Sequence, residues 1–197
     1  MKFTQIATDA FEKMQLNAGI ILTSFTPSTP TVDKTKIFGA TSGGVSFTAT
    51  PEFLDFGEDI DNVPANTKEL KRIQSVTPVM SGTLKTMDTA VAKALIGAAD
   101  VNSSTGKITP HAMLVDDDFI DTLWWVGDYS DKNGDTNGGF VAIELLNALS
   151  TGGLQLQSNK DGKGDFTFEF TGHYSIDAID EVPYNVYVKT GTAEPSQ

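Results

Sequence analysis

Hydrophobic and polar positions alternate along much of this chain with the period of two expected of strands buried on one face. Val45, Phe47 and Ala49 alternate with Ser46, Thr48 and Thr50, and Pro51 marks the end of that strand or a bend in it. In LQLQSNKDGKGDFTFEFTGHYS, Leu154 and Leu156 alternate with glutamines, and Phe166, Phe168, Phe170 and Tyr174 alternate with polar residues. The turn-rich SNKDGKG between them predicts a hairpin. VPYNVYVK places Val182, Tyr184, Val186 and Val188 on one face. DTLWWVGDY has the aromatic and branched content of a buried strand, and the polar turn SDKNGDTNGG follows it. GFVAIELLNAL fits a buried helix by periodicity alone, but its glycine boundaries and branched residues favour a strand.

Helical spacing appears twice. Phe3, Ile6, Ala10 and Met14 predict a short N-terminal helix over roughly 4–16. Met87, Ala90, Val91, Ala94 and Leu95 form a stripe over about 87–97, with Thr86 or Asp88 to cap its start and Gly97 to end it. Between these lie NAGIILTSF, a short apolar run that predicts a strand, and an arm, TPSTPTVDKT, whose Pro27 and Pro30 discourage helix and ladder alike. GEDIDNVPANTKELKR is polar and long for a connection inside a compact domain, a length that goes with either function or disorder, and it is a candidate assembly loop. In RIQSVTPVMSGTLKT, Pro78 points to an edge position or a bulge. No repeat of fixed period is visible. The pattern predicts a mainly β (α+β) fold, one domain over 1–190 and a flexible tail over 191–197.

Composition narrows the chemistry. The 197 residues include no cysteine, which removes disulfides, thiolate metal sites and thiol nucleophiles. No stretch approaches the roughly 18 apolar residues of a membrane span, and the first residues lack a signal-peptide core, so the expectation is a chain made soluble in the cytoplasm with no membrane partner. Fourteen basic residues against 26 acidic ones give a net charge of −12, which opposes tight binding to a phosphate backbone.

Catalytic motifs are broken or missing. His111 and His173 are the only histidines, and neither sits in HExxH spacing or near a GxSxG elbow. Asp131, Asn133 and Asp135 have the alternate spacing of a calcium loop, but Thr136 stands where the sharp turn needs glycine and Ala142 where the bidentate glutamate belongs. The run Asp116, Asp117, Asp118, with Asp121, reads as a solvated turn or helix start, and the glycines of GATSGG and TGG as turn glycines. Trp124 and Trp125 put one indole on each face of a strand, which suits core packing or an intersubunit contact better than carbohydrate stacking. The sequence therefore assigns no catalytic, cofactor or metal residue, and the expectation is a protein that is not an enzyme.

Taken in order, GATSGGVSFTATPEFLDFGEDIDNVP, MSGTLKT with its following helix, LWWVGDYSDKNG, GGFVAIELLNALSTGGLQLQ and FTGHYSIDAIDEVPYNVYVK resemble the major tail, or tail tube, proteins of siphophages infecting Gram-positive bacteria. The resemblance covers nearly the whole chain and rests on segment order, not on a catalytic motif. It implies a β-sandwich or barrel packed by one helix, six copies of which form a ring, with rings stacked into the hollow tube of the virion tail after assembly in the host cytoplasm. Implied partners are further copies of the chain, the tape measure, tail terminator and tail tip proteins, and double-stranded DNA in transit. The family's ring-stacking loop falls on 57–72, with Asp59, Asp61, Asn62, Pro64 and Asn66 as candidates, and its arm on 26–42. Trp124 and Trp125 are the candidate intersubunit aromatics. Six copies at −12 give 6 × (−12) = −72 per ring, and carboxylates lining the bore would keep DNA from sticking. The alternatives are a tube subunit of a related secretion or bacteriocin system and a carbohydrate-binding β-sandwich.

Overall fold

In a computed structural model, residues 3, 5–7, 10–129 and 138–191 are described. The calcium-loop positions 131–136, with most of the turn around them, and the end of the tail, 192–197, lie outside them. The fold is mainly β. In chain order the strands are β1 Gln15–Leu22, β2 Ile37–Gly39, β3 Thr41–Asp55, β4 Lys71–Leu84, β5 Ala99–Asn102, β6 Lys107–Pro110, β7 Ile120–Tyr129, β8 Gly139–Ser150, β9 Gln155–Gln157, β10 Asp165–Thr171 and β11 Tyr184–Lys189. The helix α1, Thr89–Ile96, lies between β4 and β5.

Nine strands form one antiparallel sheet in the order β2-β1-β7-β8-β10-β4-β3, with β11 also on β8 and β9 also on β10. Strand β8 is the joint. Over Phe140–Leu145 it pairs with both β7 and β11, and its last residues, Leu149 and Ser150, pair with Thr171 and Phe170 of β10. The sheet therefore folds back on itself, and side chains from the two halves meet. Ile21, Leu123 and Leu145 from one half pack with Met80, Leu84, Phe168 and Phe170 from the other, and Val91 and Leu95 of α1 close the end. A second cluster lies on the far face of the first half, where Phe25, just after β1, covers Leu22, Trp124, Val126, Phe140 and Ala142.

The segment GFVAIELLNAL is a strand, and its pairing on both sides explains the near-continuous apolar run that resembled a buried helix. Helix α1 starts on the expected cap: Asp88 accepts from the Val91 backbone N–H at 2.8 Å, and Gly97, at φ +85°, ends it. The N-terminal helix expected over 4–16 is not formed at its C-terminal end. A short 3-10 turn covers Ala10–Lys13 and β1 begins at Gln15, because Asn17 and Gly19 at positive φ make an irregular strand that still pairs with β7. Pro78 lies in a central strand, but one residue past Val79, the last position that β10 pairs, so its missing N–H costs no ladder bond on that side. Val186 and Val188 alternate as expected on β11, yet the face they share is 53% and 59% exposed. The β5–β6 hairpin was not anticipated; its turn is marked by Asn102 and by Gly106 at φ +67°.

Candidate assembly surfaces

The longest strands, β3 and β4, make a hairpin whose register runs from Thr41 opposite Leu84 to Asp55 opposite Lys71. Near its root Val45 and Phe47 pack against the core, whereas neither hydrophobic cluster of the described residues reaches the distal part. Phe53 and Ile73 face each other in register at 52% and 61% exposure, and Leu54, Phe56 and Ile60 are exposed beside them. Lys71 Nζ sits 4.7 Å from the centre of the Phe53 ring, which shields one face of it.

The connection 56–70 is a folded tip. Asp55 holds it closed by accepting from the backbone N–H groups of Asn66 at 2.7 Å and Gly57 at 2.9 Å. These two bonds, Asn66 first, lower the Asp55 pKa below the ordinary 3.8. Asn62 and Asn66 take left-handed conformations at φ 65° and 64°, and Lys71 Nζ donates to the Asn66 side-chain carbonyl at 3.0 Å. All five residues expected from the sequence, Asp59, Asp61, Asn62, Pro64 and Asn66, stand exposed on this tip.

Strand β3 ends its sheet, so one side of its fifteen residues carries backbone N–H and C=O groups that no other described strand pairs. The outward face of this half of the sheet is rich in hydroxyls. Ser46, Thr48 and Thr50 of β3 lie opposite Ser81, Val79 and Thr77 of β4, and Thr167, Glu169 and Thr171 of β10 continue the rows. Among the described residues its charges are Glu52, Glu169, the pair Lys85–Asp165 and, past the register shift at Glu52/Phe53, Arg72 opposite Leu54, a net of −1.

The two tryptophans are placed on opposite faces, as the alternation required. Trp124 is 4% exposed, with Phe25 edge-on at 5.6 Å and Tyr187 at 5.5 Å. Its surface is spent inside its own chain, which leaves no ring face for a neighbour or for a sugar. Trp125 packs half-buried on the first cluster and donates its indole N–H to the Ala18 carbonyl at 3.0 Å. Trp124 therefore follows the core-packing alternative, while the hairpin tip exposes apolar side chains of its own.

Among the described residues, the histidines and Asp118 make local contacts. His173 Nδ1 lies 3.2 Å from the Asn147 carbonyl and its ring stands edge-on to Phe119, while His111 Nε2 is 3.4 Å from Asp118. Asp118, with its side chain 1% exposed, accepts from the backbone of Val115 at 2.9 Å and Ala99 at 3.3 Å. Burial pushes its carboxyl up, but those two bonds, with His111 and Lys93 nearby, bring it below 3.8. It ties the segment after β6 to the start of β5. Its neighbours Asp116 and Asp117 are exposed on a 3-10 turn, and among the described residues no group of three or more His, Asp or Glu side chains could hold a metal ion. No described helix is long and apolar enough to cross a membrane.

A scan against protein-family models gives no match, and a search of curated proteins gives no significant one.

Proposed function

We propose that this chain is a structural subunit of a phage-type tail tube, which assembles into six-membered rings that stack into a hollow conduit for double-stranded DNA. The observation that carries the reading is the β3–β4 hairpin: one molecule presents both an unpaired fifteen-residue edge and an apolar tip standing clear of its own core. Unpaired edges are ready templates for another chain, and exposed apolar patches of this kind mark interaction sites. Pairing of the β3 edge of one copy with the β9–β10 side of the next would continue the sheet from subunit to subunit, and the hairpin tip, with Asp59, Asp61, Asn62, Pro64 and Asn66, would reach the neighbouring ring.

The same arrangement orients the surfaces. In a ring closed through β9, β10, β4 and β3, the face packed on the chain's own core points outward, and the hydroxyl-rich face is left for the bore. Six copies contribute 6 × 4 = 24 strands. At about 4.8 Å between strands and a tilt of about 40°, the barrel is roughly 50 Å across at the backbone, ample for a DNA duplex. The bore then meets DNA with hydroxyls and a net −1 per subunit, with Lys85 paired to Asp165 and Arg72 toward the hairpin tip. Most of the −12 lies elsewhere on the chain. A weakly acidic, hydroxyl-lined wall repels phosphates without gripping them. Sedimentation of the purified chain over rising concentration tests the reading: mass should step from the monomer to multiples of six, and a monomer that instead binds glycans would overturn it.

A further inference from the structure

The four strands that carry the hairpin tip end together on the opposite side. Thr41 of β3, Leu84 of β4, Phe166 of β10 and Leu156 of β9 lie in one row across the sheet, and the loop 158–164 lies just past it. Lys71 to Leu84 is about 43 Å at roughly 3.3 Å per residue, so a tip cannot touch this end of its own chain. The tip also projects. From Val79, the last β4 residue that β10 pairs, to Lys71 is about 26 Å at the same rise. In rings built through these strands and stacked head to tail, a tip of that length overlaps the adjoining ring, and the end row is what the wall of that ring presents to it.

Charge distinguishes the two ends. Over 55–72 five acidic residues against three basic ones give a net of −2. The bases are engaged within the hairpin: Lys68 lies 3.5 Å from Glu69, Lys71 sits over the Phe53 ring, and Arg72 donates to the Glu69 and Lys71 carbonyls. Glu58, Asp59 and Asp61 stand exposed beside Phe56 and Ile60. At the other end Lys85 is paired with Asp165, and Asp88 is held as the cap of α1. The exposed loop then carries Lys160 and Lys163 against Asp161, a net of +1, next to Leu156 at 62% exposure. An acidic apolar tip matches a basic apolar end. Other exposed apolar stretches fit less well. Met113–Val115 runs into Asp116–Asp118, and Ile176–Val182 contains Asp177, Asp180 and Glu181, so both would set carboxylates against the tip. Phe3 and Ile6 before β1, Val32 beside Lys34, Val101 of β5, and Val186 and Val188 beside Lys189 all lie outside the four strands that carry the tip, so the end of the wall does not present them.

We propose that the hairpin tip of one chain seats on the loop 158–164 end of a second copy, with Glu58, Asp59 and Asp61 against Lys160 and Lys163. The inference rests on the self-assembly reading above and names the surface that receives the tip. Because the chain has no cysteine, cross-linking tests it. Chains carrying Ala65→Cys, exposed on the tip, are mixed with chains carrying Ser158→Cys, exposed on the loop, oxidised, and the disulfide-linked heterodimer quantified. Comparison mixtures pair Ala65→Cys with Val32→Cys or with Val188→Cys, sites 46% and 59% exposed beside other cations. The Ser158→Cys pairing should exceed both several-fold. Lys160→Glu with Lys163→Glu on the loop chain should remove most of the excess, and Asp59→Lys with Asp61→Lys added on the tip chain should restore it. Equal yields in the three mixtures, a larger yield with Val32→Cys or Val188→Cys, or no response to the charge reversals would overturn the proposal. Sedimentation of the same samples separates it from the ring reading. Six-fold rings without the enriched cross-link would overturn this contact alone, whereas the enriched cross-link without rings would support the contact and overturn the ring geometry.

Discussion

Replacing Phe53 with Ser and Ile73 with Thr together separates assembly from folding. Both side chains are more than half exposed in the single chain, so the monomer loses little. The main internal loss is the Lys71 contact over the Phe53 ring, worth about 0.5–1 kcal/mol at an exposed site. In an assembled tube the same two side chains would be covered. An aromatic side chain presents on the order of 200 Å2, so about half of it for Phe53 and a similar area for Ile73 amount to roughly 200 Å2 newly buried. At about 25 cal/mol per Å2 that is about 5 kcal/mol per subunit as an upper figure. Incomplete burial and ordering costs reduce it to about half. About 2.5 kcal/mol corresponds to nearly two decades in the concentration at which assembly begins. The assay is the pelleting threshold in an ultracentrifuge, run beside a thermal melt of the monomer by circular dichroism. An unchanged threshold with an unchanged melt would refute the reasoning, because it would mean that the exposed hairpin meets no neighbour.

Three further outcomes test the fold beneath that surface. Asp118→Asn replaces an oxygen that accepts a backbone N–H with an amide that cannot, and should cost about 2–3 kcal/mol in urea unfolding. Because the folded pKa of Asp118 is lowered, its contribution is complete above the unfolded value near 3.8 and is lost as pH falls through the folded one, so the parent should destabilise on acidification below about pH 4 and the variant should show a flatter profile. Trp124→Ala should cost about 3–5 kcal/mol by emptying the second cluster, and a loss under about 1 kcal/mol would show that the ring is not packed as described. Gly19→Ala should destabilise clearly more than Gly43→Ala: both sit at positive φ, but a β-carbon at 19 would come within 2.5 Å of the Trp125 indole nitrogen while one at 43 meets nothing within 4 Å, and equal melting temperatures would contradict the close approach.

Most of the ladder was legible because burial on one face imposes a period of two, as the phenylalanines of β10 and Val45 and Phe47 of β3 illustrate. Helix α1 was legible from its caps. The apolar run of β1 was legible as a strand, but its start was not, since Asn17 and Gly19 at positive φ break the clean period and the apolar positions before them mimic a helical stripe. The β5–β6 hairpin carries too few apolar residues to stand out: in β5 only Ala99 is buried. The five loop residues were legible as exposed from their polarity, but the role of Asp55 in closing the tip depends on two backbone groups, one of them eleven residues away, which no local pattern records. Which tryptophan packs inside was not legible because the ring that covers Trp124, Phe25, lies just after β1 and far away in sequence. The open edge of β3 and the hydroxyl face beside it belong to strand order, which appears only when β10, β4 and β3 are seen side by side.

Negative-stain microscopy of the purified chain at increasing concentration addresses the proposed tube most directly. Six-fold rings and hollow tubes that fail to form from the Phe53→Ser, Ile73→Thr chain are the expected result. A parent chain that stays monomeric at every concentration and salt while binding glycans, or that forms only solid fibres without a central bore, would contradict it.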